Sequence, residues 1–380
     1  MKKSLFIVAI VGIALTSCKK KGCTDEDALN YSAEAEKDDG SCEFLPVPST
    51  YSFTDASGNS TVSYSGQTDR LNQLEEMTTY MKSGTSTTIS SSVLNNMFYN
   101  TGDNGGGNFT FSSSKQLANK CFTADSATFT GWFDSLANAS ASFGSTASNG
   151  QAGTLTSGTS TYLFDANGFE YVQLIEKGLM GAVFLNQALN VYFGSNKMNV
   201  DNTTAVDAGA GKYYTEMEHH WDEAFGYFGV PTNFPSSVTG IRFWGKYCNS
   251  RNADLGSNQV MMDAFLKGRT AISEGELTIR DEQILIIRQM WERVCAASAV
   301  DYLEQAQGYF GNDDAKYLHV LSEAYAFVKC LTYVPLETRV ITYSQIDMIL
   351  NQNFGTNLWN MGAVNVAAAL GELKNTYGFQ

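Results

Sequence analysis

EMEHHWDEAFGYFG, the stretch from Glu216 to Gly229, contains two of the three histidines in the 380-residue chain, His219 and His220. On a helical wheel at about 100° per residue, its large apolar residues fall on one arc, and both histidines share an arc largely opposite with Glu216, Glu223 and Tyr227. This pattern predicts an amphipathic helix. Imidazole and carboxylate groups one turn apart suit iron, zinc or manganese, but many polar faces are simply solvated, so both interpretations stay open.

Outward from this stretch the chain keeps a helical period. Apolar residues recur three and four apart in twelve segments, which are 69–82, 91–100, 112–121, 127–139, 169–193, 211–228, 241–254, 258–268, 278–308, 313–333, 344–353 and 364–377. All five prolines lie outside these segments. We therefore expect an all-α domain over residues 49–380, and its length favours two packed antiparallel helical bundles.

Two segments lack the helical period. Residues 51–66 alternate and are rich in Ser and Thr, which predicts a short hairpin or an extended lead-in. Residues 141–160 are rich in Ser, Thr and Gly, which predicts a long loop.

Charge and the first residues together indicate an exported protein. The chain carries 39 acidic and 25 basic residues, a net charge of -14, which argues against nucleic acid as a partner and favours a cation. Residues 1–17 combine a basic start with a short apolar run and small residues before Cys18, as in a bacterial lipoprotein signal peptide. We expect lipidated Cys18 to hold the protein at a membrane of the cell envelope, as an outer-membrane lipoprotein facing the periplasm or the surface.

The composition of residues 18–48 predicts a lipid-anchored tether that contains a small module. Cys23 and Cys42 bracket an acidic segment and are expected to form a disulfide in an oxidising compartment. The other four cysteines are buried thiols or further pairs, and the sequence leaves both open; they are Cys121, Cys248, Cys295 and Cys330.

The acidic module resembles short cysteine-bracketed repeats found near the lipid anchors of exported bacterial proteins. The resemblance implies calcium-binding turns, because carboxylate oxygens are hard donors beside a turn glycine. The candidate calcium ligands are Asp25, Asp27, Asp38 and Asp39. The alternative is a spacer that only the disulfide constrains.

Two further segments contain polar residues that are candidates for a binding site. His319 and Glu323 lie one turn apart in a segment that is apolar nearly all round, which predicts a buried helix. Glu176 shares a helical face with apolar residues in another segment. Buried polar groups need a partner or a ligand. The residues therefore form either part of a site or a satisfied core network that links Glu176, Glu323 and a histidine.

Other chemistries find little support. The motifs GxSxG, HExxH, CxxCH and a phosphate-binding glycine loop are absent from the sequence. A ferritin-like di-iron site needs Glu-x-x-His twice, and the chain has it once, from Glu216 to His219.

Four blocks of the sequence resemble those of exported lipoproteins grouped as domain of unknown function 4856. The blocks are VSYSGQTDRL at 62–71, EKGLMGAVF at 176–184, HWDEAFGYFG at 220–229 and HVLSEAYAF at 319–327. His220-Trp-Asp-Glu223 also resembles, more distantly, the GxHxxE motif of imelysin-like envelope proteins, although Glu218 replaces its glycine. That resemblance implies two helical bundles, a metal or substrate at His220 and Glu223, and either metallopeptidase activity or a role in iron uptake.

The sequence thus predicts a lipid-anchored, non-enzymatic envelope protein of imelysin-like fold. It would bind or handle iron, zinc or a metal-bearing ligand, with other envelope uptake proteins as candidate partners. The expected ligands, between the bundles, are His220, Glu223, His319, Glu323 and Glu176. The alternatives are a metal-dependent peptidase with Glu223 as general base, and a structural or partner-binding lipoprotein.

Overall fold

The computed structural model describes residues 19–380, which divide into two compact units on either side of the step from Val47 to Pro48. The predicted signal peptide and Cys18 lie outside the described residues. In the smaller unit, strands β1 (Lys21–Gly22) and β2 (Lys37–Asp38) pair in parallel. A disulfide joins Cys23 to Cys42, as the sequence predicts.

The larger unit is helical, and this confirms the all-α prediction. Its α-helices within the described residues are α1 (Ser65–Lys82), α2 (Ser91–Phe98), α3 (Ser126–Ser140), α4 (Tyr171–Leu179), α5 (Ser195–Met198), α6 (Glu216–Phe228), α7 (Trp244–Ser250), α8 (Asn252–Leu255), α9 (Ser257–Glu274), α10 (Leu277–Tyr309), α11 (Asp314–Cys330), α12 (Tyr343–Asp347) and α13 (Ala363–Tyr377). Turns of π-helix extend α4 through Met180–Leu185 and Gln187–Tyr192, and α12 through Met348–Phe354.

Two short antiparallel hairpins accompany the helices. The first pairs β3 (Gly153–Ser157) with β4 (Ser160–Phe164), and the second pairs β5 (Ala205–Asp207) with β6 (Lys212–Thr215). The first hairpin corrects the prediction of a structureless loop over 141–160, because that segment already enters β3 at Gly153. Its alternating Thr and Leu residues supply the strand period.

Helix α10 is the longest helix of the described residues and packs against α9, α11 and α13. Around these helices one continuous hydrophobic core includes the buried rings of Trp221, Trp244 and Trp291. The division of residues 48–380 into two bundles, and the imelysin-like arrangement, stay predictions. Among residues 19–380, no helix combines the length and apolar character that crossing a membrane requires.

The predicted helix at 112–121 is wrong. Side chains from α1 bind backbone carbonyls of this segment: Gln73 donates to the Lys115 oxygen at 2.6 Å, and Arg70 donates to the Gln116 oxygen at 2.8 Å. Because these carbonyls are satisfied from another element, the segment runs irregularly and ends in a single turn of 3₁₀-helix. The hydrogen bonds also fix this segment beside the amino-terminal end of α1.

Candidate ligand-binding pocket

Helix α6 begins at a capping box. The Thr215 hydroxyl accepts a hydrogen bond from the Glu218 amide at 3.2 Å, and the Glu218 carboxylate accepts one from the Thr215 amide at 2.9 Å. The helix therefore starts at Glu216 rather than at 211, since the preceding residues form β6. At the other end, Gly229 adopts the left-handed conformation, with φ of 76°, and ends the helix.

Gly226 allows α6 to approach α1 closely. A Cβ atom at this position would lie 2.8 Å from the Cβ atoms of both Gln67 and Tyr64, a distance that side chains do not tolerate. The absence of a side chain at Gly226 thus brings Gln67 against Glu223, one turn earlier on α6.

A buried arginine holds the opposite side of α6. Arg269, on α9, donates to the Asp222 carboxylate at 3.1 Å and to the Glu218 carboxylate at 2.6 Å. Tyr51 donates to the same Asp222 oxygen at 2.7 Å. Burial disfavours the charge of Arg269, but the two carboxylates outweigh it and raise the pKa of the guanidinium. This network fixes the rotation of α6 about its own axis, and the sequence alone gave no sign of it.

Glu223 is the centre of the polar face. One carboxylate oxygen accepts hydrogen bonds from Gln67 at 3.0 Å and Tyr192 at 3.1 Å, and the other accepts one from His220 Nδ1 at 3.2 Å. Burial acts to raise the pKa of Glu223, but the hydrogen bond from His220, the neighbouring His219 and the Gln67 amide lower it to about 2. The carboxylate is therefore ionised at neutral pH.

Both histidines of α6 are anchored through Nδ1, and His219 presents Nε2 as a free electron-pair donor. His219 Nδ1 lies 3.0 Å from the Ser63 carbonyl oxygen, which can only accept, so Nδ1 carries the proton. His220 Nδ1 donates to Glu223 in the same way. Burial is the main cause that lowers the pKa of His219, so this ring is neutral at pH 7. Such anchoring of one ring nitrogen is typical of histidines that bind metals through the other.

The Nε2 atoms of the two histidines have different surroundings. His219 Nε2 lies 3.9 Å from a carboxylate oxygen of Glu223. His220 Nε2 lies 3.6 Å from a Glu216 oxygen and is buried without a hydrogen-bond partner among the described residues. We call Glu223, His219 and His220 the pocket cluster.

A pocket of about 290 Å³ opens over this cluster. Its lining comes from α1, α6, β6 and the irregular segment at 112–121, and consists of Ser63, Ser65, Gly66, Gln67, Arg70, Lys115, Lys120, Tyr214, His219 and Glu223. His220 is not part of the lining and lies behind Glu223. A second pocket, of about 510 Å³ and lined largely by hydroxyl groups, shares Ser63 and Ser65 with the first, so the two adjoin.

Three cations of this lining lack an acidic partner. Arg70 donates only to the carbonyl oxygens of Gly66 and Gln116, and neither carbonyl neutralises its charge. Among residues 19–380, no carboxylate lies within 4.0 Å of the charged nitrogens of Arg70, Lys115 or Lys120. Burial and the nearby Arg70 lower the pKa of Lys120, although Glu223 opposes this.

The other predicted ligands lie in a separate cluster between α4 and α11. Lys177 binds the Glu176 carboxylate at 2.7 Å and the Glu323 carboxylate at 3.0 Å. His319 Nδ1 lies 2.5 Å from a Glu170 oxygen, and His319 Nε2 lies 3.6 Å from Glu323. We call these five residues the closed cluster. It has the arrangement of the core network that the sequence left open as an alternative.

Neighbouring side chains complete the closed cluster. Gln173 donates to Glu170 at 3.0 Å and accepts from Lys177 at 2.5 Å. Tyr162, on β4, packs against the His319 ring with the ring centres 4.4 Å apart and the ring planes tilted by 33°. Burial acts to lower the pKa of His319, but the carboxylates of Glu170 and Glu323 outweigh it and raise that pKa.

The structure thus brings together His220 with Glu223, and Glu176 with His319 and Glu323, in two different places. No hydrogen bond or ion pair among the described residues joins the pocket cluster to the closed cluster. Within the same residues, no group of three or more His, Cys, Asp or Glu side chains is arranged to hold a metal ion. A bare ion held by protein donors alone therefore does not fit the geometry.

In the small unit, three of the four candidate calcium ligands cap turns. Asp25 accepts a hydrogen bond from the Asp27 amide at 3.0 Å, and Asp38 accepts one from the Gly40 amide at 3.0 Å. Asp39 caps its own turn in the same way, which lowers its pKa. These hydrogen bonds explain the presence of aspartate at these turn positions without a bound ion. Calcium binding here stays a prediction.

Sequence reasoning missed the cations of the pocket. Arg70, Ser63 and Gln67 belong to the VSYSGQTDRL block at 62–71, so that block carried a signal for them. Lys115 and Lys120 carried no such signal, because they lie in the segment wrongly predicted as a helix.

The chain belongs to the family described as Domain of unknown function (DUF4856), whose match covers residues 48–380. No curated protein and no solved structure matches the chain. The family match confirms the closer of the two resemblances that the sequence indicated, and covers both polar clusters.

Proposed function

We propose that the family domain is a non-enzymatic binding protein that holds a metal in complex with a small organic ligand, at His219 and Glu223. The observation that carries this proposal is the pair of donor atoms on the pocket wall, His219 Nε2 and a Glu223 oxygen, 3.9 Å apart. Metal bonds to such donors are about 2.0–2.2 Å long, so one ion can contact both. Two protein donors are too few, and the organic ligand would supply the others.

The proposal changes the roles that the imelysin-like motif implies. In this chain His219 faces the pocket, whereas His220 orients the Glu223 carboxylate from behind through its Nδ1 hydrogen bond. Such a carboxylate–histidine pair commonly supports a metal ligand. The distant resemblance to iron-uptake proteins and the lipoprotein signal agree with a place at the cell envelope, where a tethered binding protein would retain a metal complex.

The peptidase alternative finds less support in the geometry. Glu223 would have to act as general base, but both of its carboxylate oxygens already accept hydrogen bonds, from Gln67, Tyr192 and His220. A carboxylate held in this way is a weak proton acceptor at neutral pH.

The test compares two chelates of one metal ion. Nitrilotriacetate leaves coordination positions of iron(III) or nickel(II) open, whereas ethylenediaminetetraacetate fills them. We expect calorimetry with tag-free protein to show the nitrilotriacetate complex binding at least tenfold more tightly than the other complex. His219→Ala should remove this difference, and the matched control His319→Ala, in the closed cluster, should keep it. Equal binding of the two complexes, or an unchanged preference in His219→Ala, would overturn the proposal.

A further inference from the structure

We infer that the organic ligand of the pocket is a small polyanion, with carboxylate or phosphate groups that Arg70, Lys115 and Lys120 bind. The inference rests on the proposed function for the location of the site, and it adds the chemical class of the ligand. It also makes a separate claim, that these three cations bind the anion even when no metal is present.

The distribution of charged side chains around the pocket favours an anionic ligand. Many Lys and Arg side chains of the described residues have no carboxylate within 4.0 Å, so what distinguishes the pocket is that three such cations line one small cavity. The buried cations Arg269 and Lys177 each contact two carboxylates. The three cations of the pocket contact none among the described residues, although they line a single small cavity. Like charges placed together repel one another, and a bound anion would remove that cost.

The protein holds this arrangement in place. Two backbone carbonyls fix the Arg70 side chain, and Gln73 binds the backbone of Lys115. The Lys120 ammonium lies over the Tyr192 ring, 5.3 Å from its centre. Contacts within the protein therefore hold the side chains of Arg70 and Lys120, and the backbone of Lys115, beside the cavity without neutralising the three charges.

Glu223 gives the pocket two sides of opposite character. It is the one carboxylate of the lining among the described residues, and it would repel a free polyanion. A metal ion between the polyanion and the His219–Glu223 pair would turn that repulsion into attraction. The two sides thus match a chelate whose metal faces α6 and whose anionic groups face α1 and the segment at 112–121. A pocket of about 290 Å³ suits a molecule of the size of citrate.

Metal-free anions test the inference. We expect calorimetry at low salt to show binding of citrate or of pyrophosphate, which separate carboxylate from phosphate recognition, and no binding of the neutral polyol sorbitol. Added salt should weaken the binding. The double variant Lys115→Gln, Lys120→Gln should lose at least tenfold in affinity, whereas Lys212→Gln, at an exposed lysine of β6, should bind as the natural protein does.

The outcomes separate this inference from the proposed function. Free anions that bind natural protein and His219→Ala alike, together with a nitrilotriacetate complex that binds no more tightly than the other chelate, would support the inference and refute the metal proposal. A metal preference that depends on His219, with no binding of citrate or pyrophosphate, would overturn the inference alone. Anion binding that the double lysine variant leaves unchanged would also overturn it. Unfolding curves of each variant ensure that only folded protein is compared.

Discussion

The pocket beside α6 and the closed cluster both contain histidine, glutamate and lysine, but their charges are arranged differently. In the closed cluster, Lys177 and His319 each contact two carboxylates, and Tyr162 covers the histidine. In the pocket, the single carboxylate of Glu223 lies beside two histidines, and cations without a carboxylate partner line the cavity. A balanced, covered network has little left to bind, whereas an unbalanced and open one can gain energy from a ligand.

Four sequence blocks indicated the family, and in the structure they contact one another in two pairs that follow this division. The blocks at 62–71 and 220–229 supply Gln67 and Glu223 to the lining of the pocket. The blocks at 176–184 and 319–327 supply Lys177 and Glu323 to the closed cluster. The pocket and the closed cluster therefore each combine segments far apart in the chain, and the function of one cannot be inferred from the other.

The largest effect should come from the closed cluster. Lys177→Met would leave Glu176 and Glu323 buried without their cation, and we expect it to lower the free energy of unfolding by about 3–5 kcal/mol. Denaturant titration followed by circular dichroism measures this change. A loss below about 1 kcal/mol would show that the closed cluster does not depend on its lysine and would weaken the contrast.

Glu223→Gln should have a smaller effect on stability. The variant keeps the shape of the side chain but weakens hydrogen bonds to a charged group, which costs about 1–3 kcal/mol. The pKa of Glu223 is lowered from 4.5 to about 2 in the folded protein, so the advantage of the natural protein should be complete above pH 4.5 and decrease as the pH falls toward 2. Unfolding of both proteins over this pH range measures it, and an advantage independent of pH would contradict the ionised carboxylate.

His319 gives a pH dependence of the opposite sign. Because Glu170 and Glu323 raise its pKa in the folded state, its contribution to stability should be complete below pH 6.5 and lost as the pH rises through the higher pKa. We expect His319→Gln to cost about 1–2 kcal/mol at low pH and less at high pH. Nuclear magnetic resonance titration of the ring in the natural protein provides an independent check. A midpoint below 6.5 would contradict the assigned contacts.

The sequence predicted local structure better than the site. Helical periodicity was sufficient to predict helices at α6 and α10, and the positions of two cysteines were sufficient to predict the disulfide. Helical periodicity gave a wrong prediction at 112–121, because hydrogen bonds from Arg70 and Gln73 outweigh the local helical pattern. The same failure concealed Lys115 as part of the pocket. The wheel placed His219 and His220 on one polar face, but only the neighbouring Ser63 carbonyl and Glu223 show that each ring is anchored through Nδ1.

The smallest effect on stability should come from Lys120 in the pocket. Burial and Arg70 lower its pKa, which means that its charge is disfavoured in the folded protein, while Glu223 partly compensates. Lys120→Met should therefore change the free energy of unfolding by no more than about 0.5 kcal/mol, in contrast to Lys177→Met. The same variant should weaken the binding of metal-free citrate or pyrophosphate, because one of the three cations is gone. A loss of stability above about 1 kcal/mol would make Lys120 a structural cation like Lys177, and the pocket would then be a second network that maintains the fold rather than a site open to a ligand.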